Sequence, residues 1–567
     1  MTVLIRLLVS AAAITPLAAL AAPLPAVSPD IEKAAAAIDR DPAMQALKAD
    51  LVSQAAQDWR FDNQMELVRI ASPSRSEMRR QKEITRRLAK EWGIPQENIV
   101  TRLDGYLPGA GIQTVDGLPV YNVCVKIPGT YAKQKGAKSY RGQFPKVLLE
   151  GHIDTVNPPV LPPESAPYEP VKLQPLSAPV VKTREELAAL PGELKFDASG
   201  RIVKDENYRK AYRRFDNAEA AKAGGALRIY VPGYSDAMIN TTAVLQAAVM
   251  MVKHGIRPVY DVWVCGTTGE EGKGNLCGMK QLYGYSQETG KGNNALNFVA
   301  NFGADSTTPK SGTVNYLGSY RFEVKYTEPA GWKEGSAPAP SALMAMNRAI
   351  AAIADIRSPW DLDKKAERTT YTVGTAHCSA APAGGRSAEC TLMVDMRSPN
   401  PGPLTAMRSK IEPILKSAAH EENAALGIAD TDKRAVRTEL VWFGDRPAYQ
   451  RKNYSDIAVQ AWLQSARTAG IDVPEQIRDR AASLNDNVPA AVGVPTINFN
   501  VGTRAVGAGG HTWYEWGVPG NGVDEGKRVY RLILSGLLAA GYNASDGSVV
   551  QPGVGPIGQR TTEELYK

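Results

Sequence analysis

Two adjacent carboxylates, Glu270 and Glu271, stand between glycines directly after an apolar β-like run in the segment VWVCGTTGEEGKG. Like charges at neighbouring positions repel each other, so this placement beside a strand end suggests a chemical role. One carboxylate can bind a divalent cation while its neighbour accepts a proton from water held there, and the glycines let the backbone approach closely. Pairs of glutamates are also common on solvated surfaces, so a metal site requires further ligands elsewhere in the chain.

Other strand ends carry side chains that suit such a site. His152 and Asp154 in LLEGHIDTV are separated by one residue, so both point to one side of a strand, where Asp154 can accept the second ring N–H of the imidazole. Three more candidates are Asp236 at the start of an apolar helix, Asp305 in NFGADSTTP and His511 in VGAGGHTWYEW. Asp236 and Asp305 have ordinary alternatives as a helix N-cap and a turn cap, and His152 has one as a hydrogen-bonded core histidine.

The apolar runs before these residues predict a doubly wound, mostly parallel sheet with helices on both faces. The runs KVLLEG, VYDVWVCG, NFVANFG and VPTINFNVG are bounded by glycine and alternate with helical patterns. Between the first two, MINTTAVLQAAVMMVKHG is apolar nearly all round and stops at Gly255, as expected of a buried helix with a glycine C-cap. In open α/β sheets, ligands bind beyond the carboxyl ends of the strands, where the polar clusters fall.

The chain is predicted to begin with an export signal. Residues 1–21 contain one positive charge at Arg6, a short alanine-rich apolar stretch and small residues at Ala19 and Ala21, which together indicate a cleaved secretory signal. The alternative is an N-terminal anchor helix, although no later segment approaches twenty uninterrupted apolar residues. A periplasmic or secreted protein is expected, with no membrane contact once the signal is removed.

Changes of pattern then divide the chain into domains. Residues 28–312 form the first part of the sheet domain, with a proline-rich irregular excursion over 157–228. Residues 313–444 follow the order β-α-β-β-α-β, which indicates an inserted ferredoxin-like α+β domain. The sheet domain resumes over 445–542, and residues 543–567 lack a core-forming pattern and are predicted to be a flexible tail.

Composition excludes several classes of protein. The 567 residues are 43% hydrophobic and 22% charged, which is typical of a folded multidomain protein. The formal charge of +7 is spread along the chain, so nucleic-acid binding is not expected and acidic substrates are only slightly favoured. The five cysteines lack CxxC spacing and form no zinc ribbon. Cys378 and Cys390 flank a predicted turn and could pair, with buried free thiols as the alternative.

The order of the motifs resembles a known family. His-x-Asp, an aspartate after glycine, Gly-Glu-Glu-Gly, Gly-x-Asp and a late Gly-His-Thr-x-x-Glu are similar to the co-catalytic dinuclear zinc metallopeptidase family. That family includes tripeptidase T, glutamate carboxypeptidase, aminoacylase and acetylornithine deacetylase/succinyl-diaminopimelate desuccinylase. The likeness runs from about Asn63 to Tyr542 and includes GDRP at 444–447 and the string that ends at Pro495. It implies an α/β fold, with a mostly parallel sheet between helices and an inserted lid and dimerisation domain.

The resemblance implies a role for each matching position. Five residues would bind two zinc ions: Asp236 as the bridge, His152 and Asp305 at one ion, Glu271 and His511 at the other. Glu270 would be the general base and then the general acid, with Asp154 in support. Two metals about 3.5–4 Å apart can share a water, lower its pKa towards roughly 7 and polarise the scissile carbonyl. Manganese or cobalt could replace zinc. Family members with aspartate at the Asp305 position look more often like peptidases, which favours peptide bonds.

The lid departs from the family pattern. The family presents a lid histidine in a Gly-Pro-Gly-Gly-His-Ser loop, and ungapped counting places Trp332 of EPAGWKEGS there, while a family asparagine falls near Gly384. Loss of one oxyanion donor typically costs about 10²–10³ in turnover, which would weaken a two-metal hydrolase without abolishing it. The indole N–H of Trp332, or else Arg386 or His377, could supply a donor.

Residues near the end of the chain complete the expected substrate site. Asn487 matches a family asparagine, Asn485 stands where the family often has aspartate, and Gly509 with Gly510 matches a loop that receives the substrate. The expected function is an exported dinuclear zinc hydrolase that cleaves small peptides or N-acyl amino acids, from a chain end, as a homodimer joined through the lid. The alternatives are a catalytically weak relative that binds peptides or metal, and an ordinary α/β scaffold with capping aspartates.

Overall fold

The computed structural model describes residues 22–104, 106, 114–115, 118–134, 144–156, 168–286, 289–306, 312–328, 339–357, 368–379, 389–473, 476–477 and 481–555. The predicted signal at 1–21, Trp332 and Arg386 lie outside these residues, so the predictions made for them stay predictions. Within the described part, no helix has the length and apolar character needed to cross a membrane.

Three sheets contain the strands that matter for the site. In chain order these strands are β1 (Ile99–Val100), β2 (Val123–Ile127), β3 (Lys146–His152), β4 (Lys172–Pro175), β5 (Gly192–Glu193), β6 (Leu227–Tyr230), β7 (Asp261–Thr267), β8 (Phe298–Gly303), β9 (Gly312–Thr313), β10 (Gly318–Thr327), β11 (Thr370–Cys378), β12 (Glu389–Ser398), β13 (Arg437–Arg446), β14 (Thr496–Phe499), β15 (Arg504–Ala508) and β16 (Trp516–Pro519).

The helices of the described residues, again in chain order, are α1 (Pro29–Arg40), α2 (Pro42–Leu51), α3 (Gln54–Val68), α4 (Met78–Lys90), α5 (Tyr131–Gln134), α6 (Arg184–Ala188), α7 (Glu206–Tyr212), α8 (Ala218–Ala223), α9 (Ile239–Lys253), α10 (Cys277–Tyr283), α11 (Ala342–Ala354), α12 (Pro401–Ala425), α13 (Ile457–Thr468), α14 (Asn487–Ala491) and α15 (Gly522–Ala540). Short single turns cover Gln96–Asn98 and Gly272–Gly274, and a wider turn covers Tyr234–Met238.

The central sheet has seven strands in the order β9-β14-β8-β3-β7-β2-β1. Its four middle strands, β14, β8, β3 and β7, run parallel, whereas β9, β2 and β1 pair antiparallel at the edges. Every residue of β3 and β7 is buried, because helices cover both faces. Val147 and Leu149 pack in the core that includes α9 and α15, while Leu148 packs in the core that includes α10. The predicted mixed, mostly parallel α/β class is confirmed.

The inserted domain is a four-stranded antiparallel sheet with two helices on one face. Its strand order is β11-β12-β10-β13, and the chain runs β10-α11-β11-β12-α12-β13, the β-α-β-β-α-β order that the sequence predicts. Alternate residues of β12 are buried against α11 and α12. The other face of this sheet is therefore available to the site on the central sheet.

The described part of the predicted excursion is more regular than expected. Residues 168–228 contain β4, β5 and the first half of β6, which join β15 and β16 in a five-stranded sheet of order β15-β16-β6-β4-β5. The prediction of an irregular segment over these residues is wrong. Strands of two to four residues are too short to show a clear alternation of apolar side chains, and their partners β15 and β16 lie almost 300 residues away.

The start of the predicted tail is also ordered. Tyr542–Asn543 pairs with Val549–Val550, and Asp41 accepts hydrogen bonds from Ser545 N and Ser545 Oγ at 2.6 and 3.0 Å. The tail prediction is therefore wrong for residues 543–555. These contacts depend on backbone and side-chain hydrogen bonds, which leave no apolar periodicity in the sequence.

Two disulfides link strands of the described chain. Cys378 and Cys390 pair across β11 and β12, which settles the alternative left open by the sequence. Cys124 and Cys265 pair across β2 and β7, a link that joins positions 141 residues apart and was not predicted. Cys277 is buried with a free thiol.

Replacing Cys124 and Cys265 together with alanine is expected to lower the free energy of unfolding by about 2–5 kcal/mol, because the link restricts a long loop of the unfolded chain. Urea denaturation measures the change. The Cys378→Ala/Cys390→Ala variant is the matched control and should cost less, since its loop spans only 12 residues. Non-reducing peptide mapping that finds Cys124 and Cys265 as free thiols would contradict the pairing.

Candidate metal centre

The predicted site residues lie together at the carboxyl edge of the central sheet. His152 is the last residue of β3, Glu270 and Glu271 follow β7, and Asp305 follows β8. The other two come from the turn before α9 and from the loop between β15 and β16: Asp236 and His511. The Asp236–Ala237 peptide bond is cis. Thr241 Oγ1 at the start of α9 donates to the carbonyl of His152 at 2.5 Å, so the helix start is fastened to the strand end.

The two carboxylate oxygens of Asp236 face different partners. Oδ1 lies 3.2 Å from Nε2 of His152, and that nitrogen lies 3.4 Å from Asp305 Oδ1. Oδ2 lies 2.8 Å from Nε2 of His511, which is itself 3.0 Å from Glu271 Oε1. Potential ligand atoms within 4.8 Å of one another thus form two groups of three residues that share Asp236, as the family resemblance implies. The groups are His152, Asp236 and Asp305, and Asp236, Glu271 and His511.

The electrostatics of the two groups fit bound cations. Burial raises the pKa of Asp305 to about 7. Burial also raises the pKa of Glu271, and the charges of Asp236 and Glu270 add to this effect. The pKa of His511 is raised to about 11 by its hydrogen bonds to Asp236 and Glu271. The buried carboxylates thus favour positive charge nearby, which a protonated His511 or a bound cation supplies. Oxygen and imidazole donors without thiolate suit zinc in an open hydrolytic site, and also manganese or cobalt.

Asp154 holds both the histidine and the glutamate pair. Nδ1 of His152 lies 3.1 Å from the carbonyl oxygen of Asp154 and 3.3 Å from its Oδ1, so the second ring nitrogen can donate there when Nε2 binds a metal. The backbone N–H groups of Glu270 and Glu271 donate to Oδ1 and Oδ2 of the same carboxylate, each at 3.0 Å. The first contact was expected from the sequence, whereas the second was not.

A second carboxylate and a buried arginine lie behind Asp154. Glu77 Oε1 accepts the N–H of Gly269 at 2.9 Å, so three successive backbone donors of the turn end on two carboxylates. Burial and the charge of Asp154 raise the pKa of Glu77 to about 7. Arg80 is fully buried, donates to the carbonyl of Ile153 at 2.6 Å, and places positive charge near both acids. No local motif marks Glu77 or Arg80.

The predicted general base is bound by an arginine. Arg446 Nη1 lies 3.1 Å from Glu270 Oε1 and donates to Ser483 Oγ at 3.0 Å, while Nη2 donates to the carbonyl of Glu270. The side chains of Arg446 and Glu270 are each 4% exposed. Arg446 belongs to the GDRP motif at 444–447, so the motif is visible in the sequence, but its contact with Glu270 is not.

A cavity of about 740 Å³ separates this centre from the lid. Asp236, Glu270, Glu271, Asp305 and His511 line one side. The lining also includes Asp395 of the lid and four cationic side chains, Lys273, Arg321, Arg397 and Arg446, of which Lys273 follows Glu271 in the same turn and Arg446 contacts Glu270. The cavity therefore combines the carboxylates of the candidate centre with cationic side chains, some from the lid and some beside the centre itself.

The predicted substrate residues have different positions. Asn487 is buried, and its amide donates to the carbonyls of Leu317 and Pro447 at 2.9 and 2.8 Å, so it ties segments together and does not line the cavity. The Asn487 amide oxygen also accepts the N–H of Leu484 at 2.8 Å, so both ends of the amide are bound to backbone; the predicted contact with substrate stays a prediction. Gly509 and Gly510 lie beside His511 and stay predictions.

Solved structures share this fold. Neither a family model nor a curated protein matches the chain. The dipeptidase Dug1p of Saccharomyces cerevisiae aligns at 12% identity over 87% of this chain and 98% of its own, with a TM-score of 0.51. Human carnosine dipeptidase 1 aligns at 11% identity over 87% and 99%, with a TM-score of 0.50. A tripeptidase of Staphylococcus aureus aligns at 15% identity over 85% and 97%, with a TM-score of 0.48.

The chain therefore has the fold of these two dipeptidases, from its sheet domain through the inserted lid. The family resemblance carried by the motifs agrees with this fold.

Zinc is expected to raise the thermal midpoint of the metal-free protein, because metal ions bind the folded centre and relieve its repulsion. At a free zinc concentration near 1,000 times Kd the gain is about 4 kcal/mol. Calorimetry with zinc and with chelator measures it. The Asp236→Ala variant removes the carboxylate shared by both groups and should lose most of the response. A midpoint that zinc and chelator leave unchanged in the parent protein would argue against a metal centre.

Proposed function

We propose that this protein is a dinuclear metal-dependent hydrolase that cleaves peptide or N-acyl amino acid amide bonds in small substrates. The observation that carries the proposal is the division of the two Asp236 oxygens between His152 and His511. Glu270 lies within 4.8 Å of donor atoms of His152 and Glu271, and it lines the same cavity. Ligands for two ions and an adjacent base are the parts that hydrolysis of an amide requires.

The chain's own residues have distinct tasks in this proposal. When bound, two divalent ions would polarise the scissile carbonyl and lower the pKa of water. Glu270 takes a proton from the attacking water and returns it to the leaving nitrogen. Asp154 fixes the ring of His152 and the backbone of Glu270, so the base and a ligand keep one relative position. Arg446 holds the carboxylate of Glu270 through Nη1.

The cationic residues of the cavity support a substrate with a free carboxylate. Arg321, Arg397 and Arg446 line the cavity, and burial lowers the pKa of Arg321 only to about 10, so its guanidinium stays charged at neutral pH. Arg321 Nη1 also donates to the carbonyl of Gly272 at 3.1 Å, which ties the lid to the turn that carries Glu271. We assign short peptides with a free terminal carboxylate as the preferred substrates.

Among the described residues, two lid arginines can supply the donor that a lid histidine supplies in the family. His377 lies on β11 and does not line the cavity. Arg321 and Arg397 do line it, and both pair with Asp395 on β12. We assign to these guanidinium groups the role of N–H donors that stabilise the charge developing on the substrate carbonyl oxygen.

One contact favours the second candidate function, a catalytically weak protein that binds peptides or metal. Glu270 Oε1 lies 3.1 Å from Arg446 Nη1, so this oxygen of the proposed base already has a buried cationic partner. The Glu270→Gln variant separates the two functions. A protein that only binds peptides or metal would show no turnover, with or without the substitution.

Export and dimerisation are part of the proposal. The sequence of residues 1–21 supports export, and the two disulfides are typical of oxidising compartments. Dimerisation through the lid is supported by its sheet, where β11 and β13 stand at the edges and can pair with another strand. Sedimentation tests the dimer.

The Glu270→Gln variant is expected to lose about 10²–10⁴ in kcat while it keeps its metal content, because it removes the proton acceptor and no ligand of either group. A peptide-library digest followed by mass spectrometry, with and without chelator, measures activity, metal dependence and cleavage end. Glu323→Gln is the control, since Glu323 pairs with Lys273 and does not line the cavity. Full turnover by Glu270→Gln would disprove the assignment of the base.

The Arg397→Met variant is expected to raise KM for peptides with a free carboxylate by about tenfold or more, since a hydrogen bond to a charged group contributes about 1.5–3 kcal/mol. KM for the matching C-terminal amides should change little. Arg348→Met is the matched control, because Arg348 is equally exposed and pairs with Glu422 elsewhere in the lid. An equal rise in KM for the free acids and for the C-terminal amides would show that Arg397 does not recognise the carboxylate.

A further inference from the structure

Glu515 is a buried carboxylate bound entirely to the turn that carries Asp236. Its Oε2 accepts the N–H of Gly233 at 2.8 Å. Its Oε1 accepts the N–H and the hydroxyl of Ser235, each at 2.7 Å, and the N–H of Asp236 at 3.1 Å. Four donors from three residues of this turn thus converge on one side chain.

The backbone of Glu515 is equally tied to the loop that carries His511. Glu515 N donates to the carbonyl of Thr512 at 3.2 Å, and Thr512 N donates to the carbonyl of Gly509 at 2.9 Å. The carbonyl of Glu515 accepts the N–H of Val231 at 3.1 Å, just before the Asp236 turn. Glu515 therefore connects two loops that are far apart in sequence and that each bring one ligand to the centre.

The two groups of ligands differ in how firmly their histidines are held. His152 ends a central strand and is fully buried, and its Nδ1 faces Asp154. The side chain of His511 is 59% exposed on a loop, with φ of +64°. The position of His511 relative to Asp236 therefore depends on the connection through Glu515 more than on packing around the ring.

We propose that Glu515 is a positioning residue that sets the spacing between Asp236 and His511 and thereby determines the affinity of the metal site that these two residues form with Glu271. The inference rests on the proposed two-metal function. Residues that orient metal ligands typically change metal affinity about 10–100-fold when they are replaced. The site of His152 and Asp305 should respond less, because its histidine is fixed by the strand.

Glu515→Gln tests the inference with little change in shape. A glutamine has one acceptor oxygen and one NH₂ group, so it cannot accept at both positions that Glu515 uses. Either the N–H of Gly233 or those of Ser235 and Asp236 would face a donor, and the turn would shift.

Calorimetric titration of the metal-free protein with zinc measures both sites. In Glu515→Gln the affinity of one site is expected to fall about 10–100-fold, while the other changes far less. Cobalt(II) absorption provides a second readout, and only one of the two cobalt spectra should change.

Asp41→Asn is the matched control. Asp41 is a buried carboxylate that also accepts four hydrogen bonds, from Ala43 N, Tyr542 Oη, Ser545 N and Ser545 Oγ, none of which touches the metal centre. This variant should lose thermal stability and keep both metal affinities.

The outcomes separate the inference from the proposed function. A parent protein that does not bind two metal ions would overturn the proposed function. Two sites in the parent, with equal affinities in Glu515→Gln and Asp41→Asn, would overturn the positioning role alone. If Glu515→Gln does not fold, Ser235→Ala tests the inference instead, because it removes one of the four hydrogen bonds to Glu515. This variant should weaken the same metal site to a smaller extent. An unchanged metal affinity would overturn the inference.

Discussion

Three backbone N–H groups of one turn hold the candidate centre together. Gly269 donates to Glu77, and the next two residues donate to the two oxygens of Asp154. Buried carboxylates are unfavourable unless donors surround them, and this turn supplies those donors. Gly269 has a φ of +61° and lies against the thiol of Cys277, so a side chain would not fit there. The ends of β3 and β7 and the start of α4 therefore meet at fixed positions.

The rest of the site depends on this turn and on the charge around it. The metal side concentrates negative charge, and buried Arg80 places one cation behind it, near Glu77 and Asp154. The lid side concentrates arginines, of which Arg321 contacts the same turn at the carbonyl of Gly272. A substrate in the cavity would meet both the carboxylates of the centre and these arginines. Such an arrangement orients a short, polar molecule more strongly than an apolar pocket would.

Much of the fold and of the centre could be predicted because the signals are local. The buried strands β3 and β7 appear as apolar runs bounded by glycine, since both of their faces are covered. His152 and Glu271 follow such runs directly, so strand direction alone brings them to one edge of the sheet. Three features could not be predicted, because each depends on a partner distant in the chain. They are the contact of Arg446 with Glu270, the ordered segment after Asn543 and the hydrogen bonds of Asn487.

The sequence by itself determined the fold class, the order of the domains and the residue types that meet at the centre, because hydrophobic periodicity and strand-end motifs extend over only a few residues. Only the tertiary structure decided what holds those residues. Asp154 binds a turn 116 residues later, Glu515 binds a turn 280 residues earlier, and Cys124 pairs with Cys265. These contacts form only when packing brings distant segments together, so no local pattern of the chain records them.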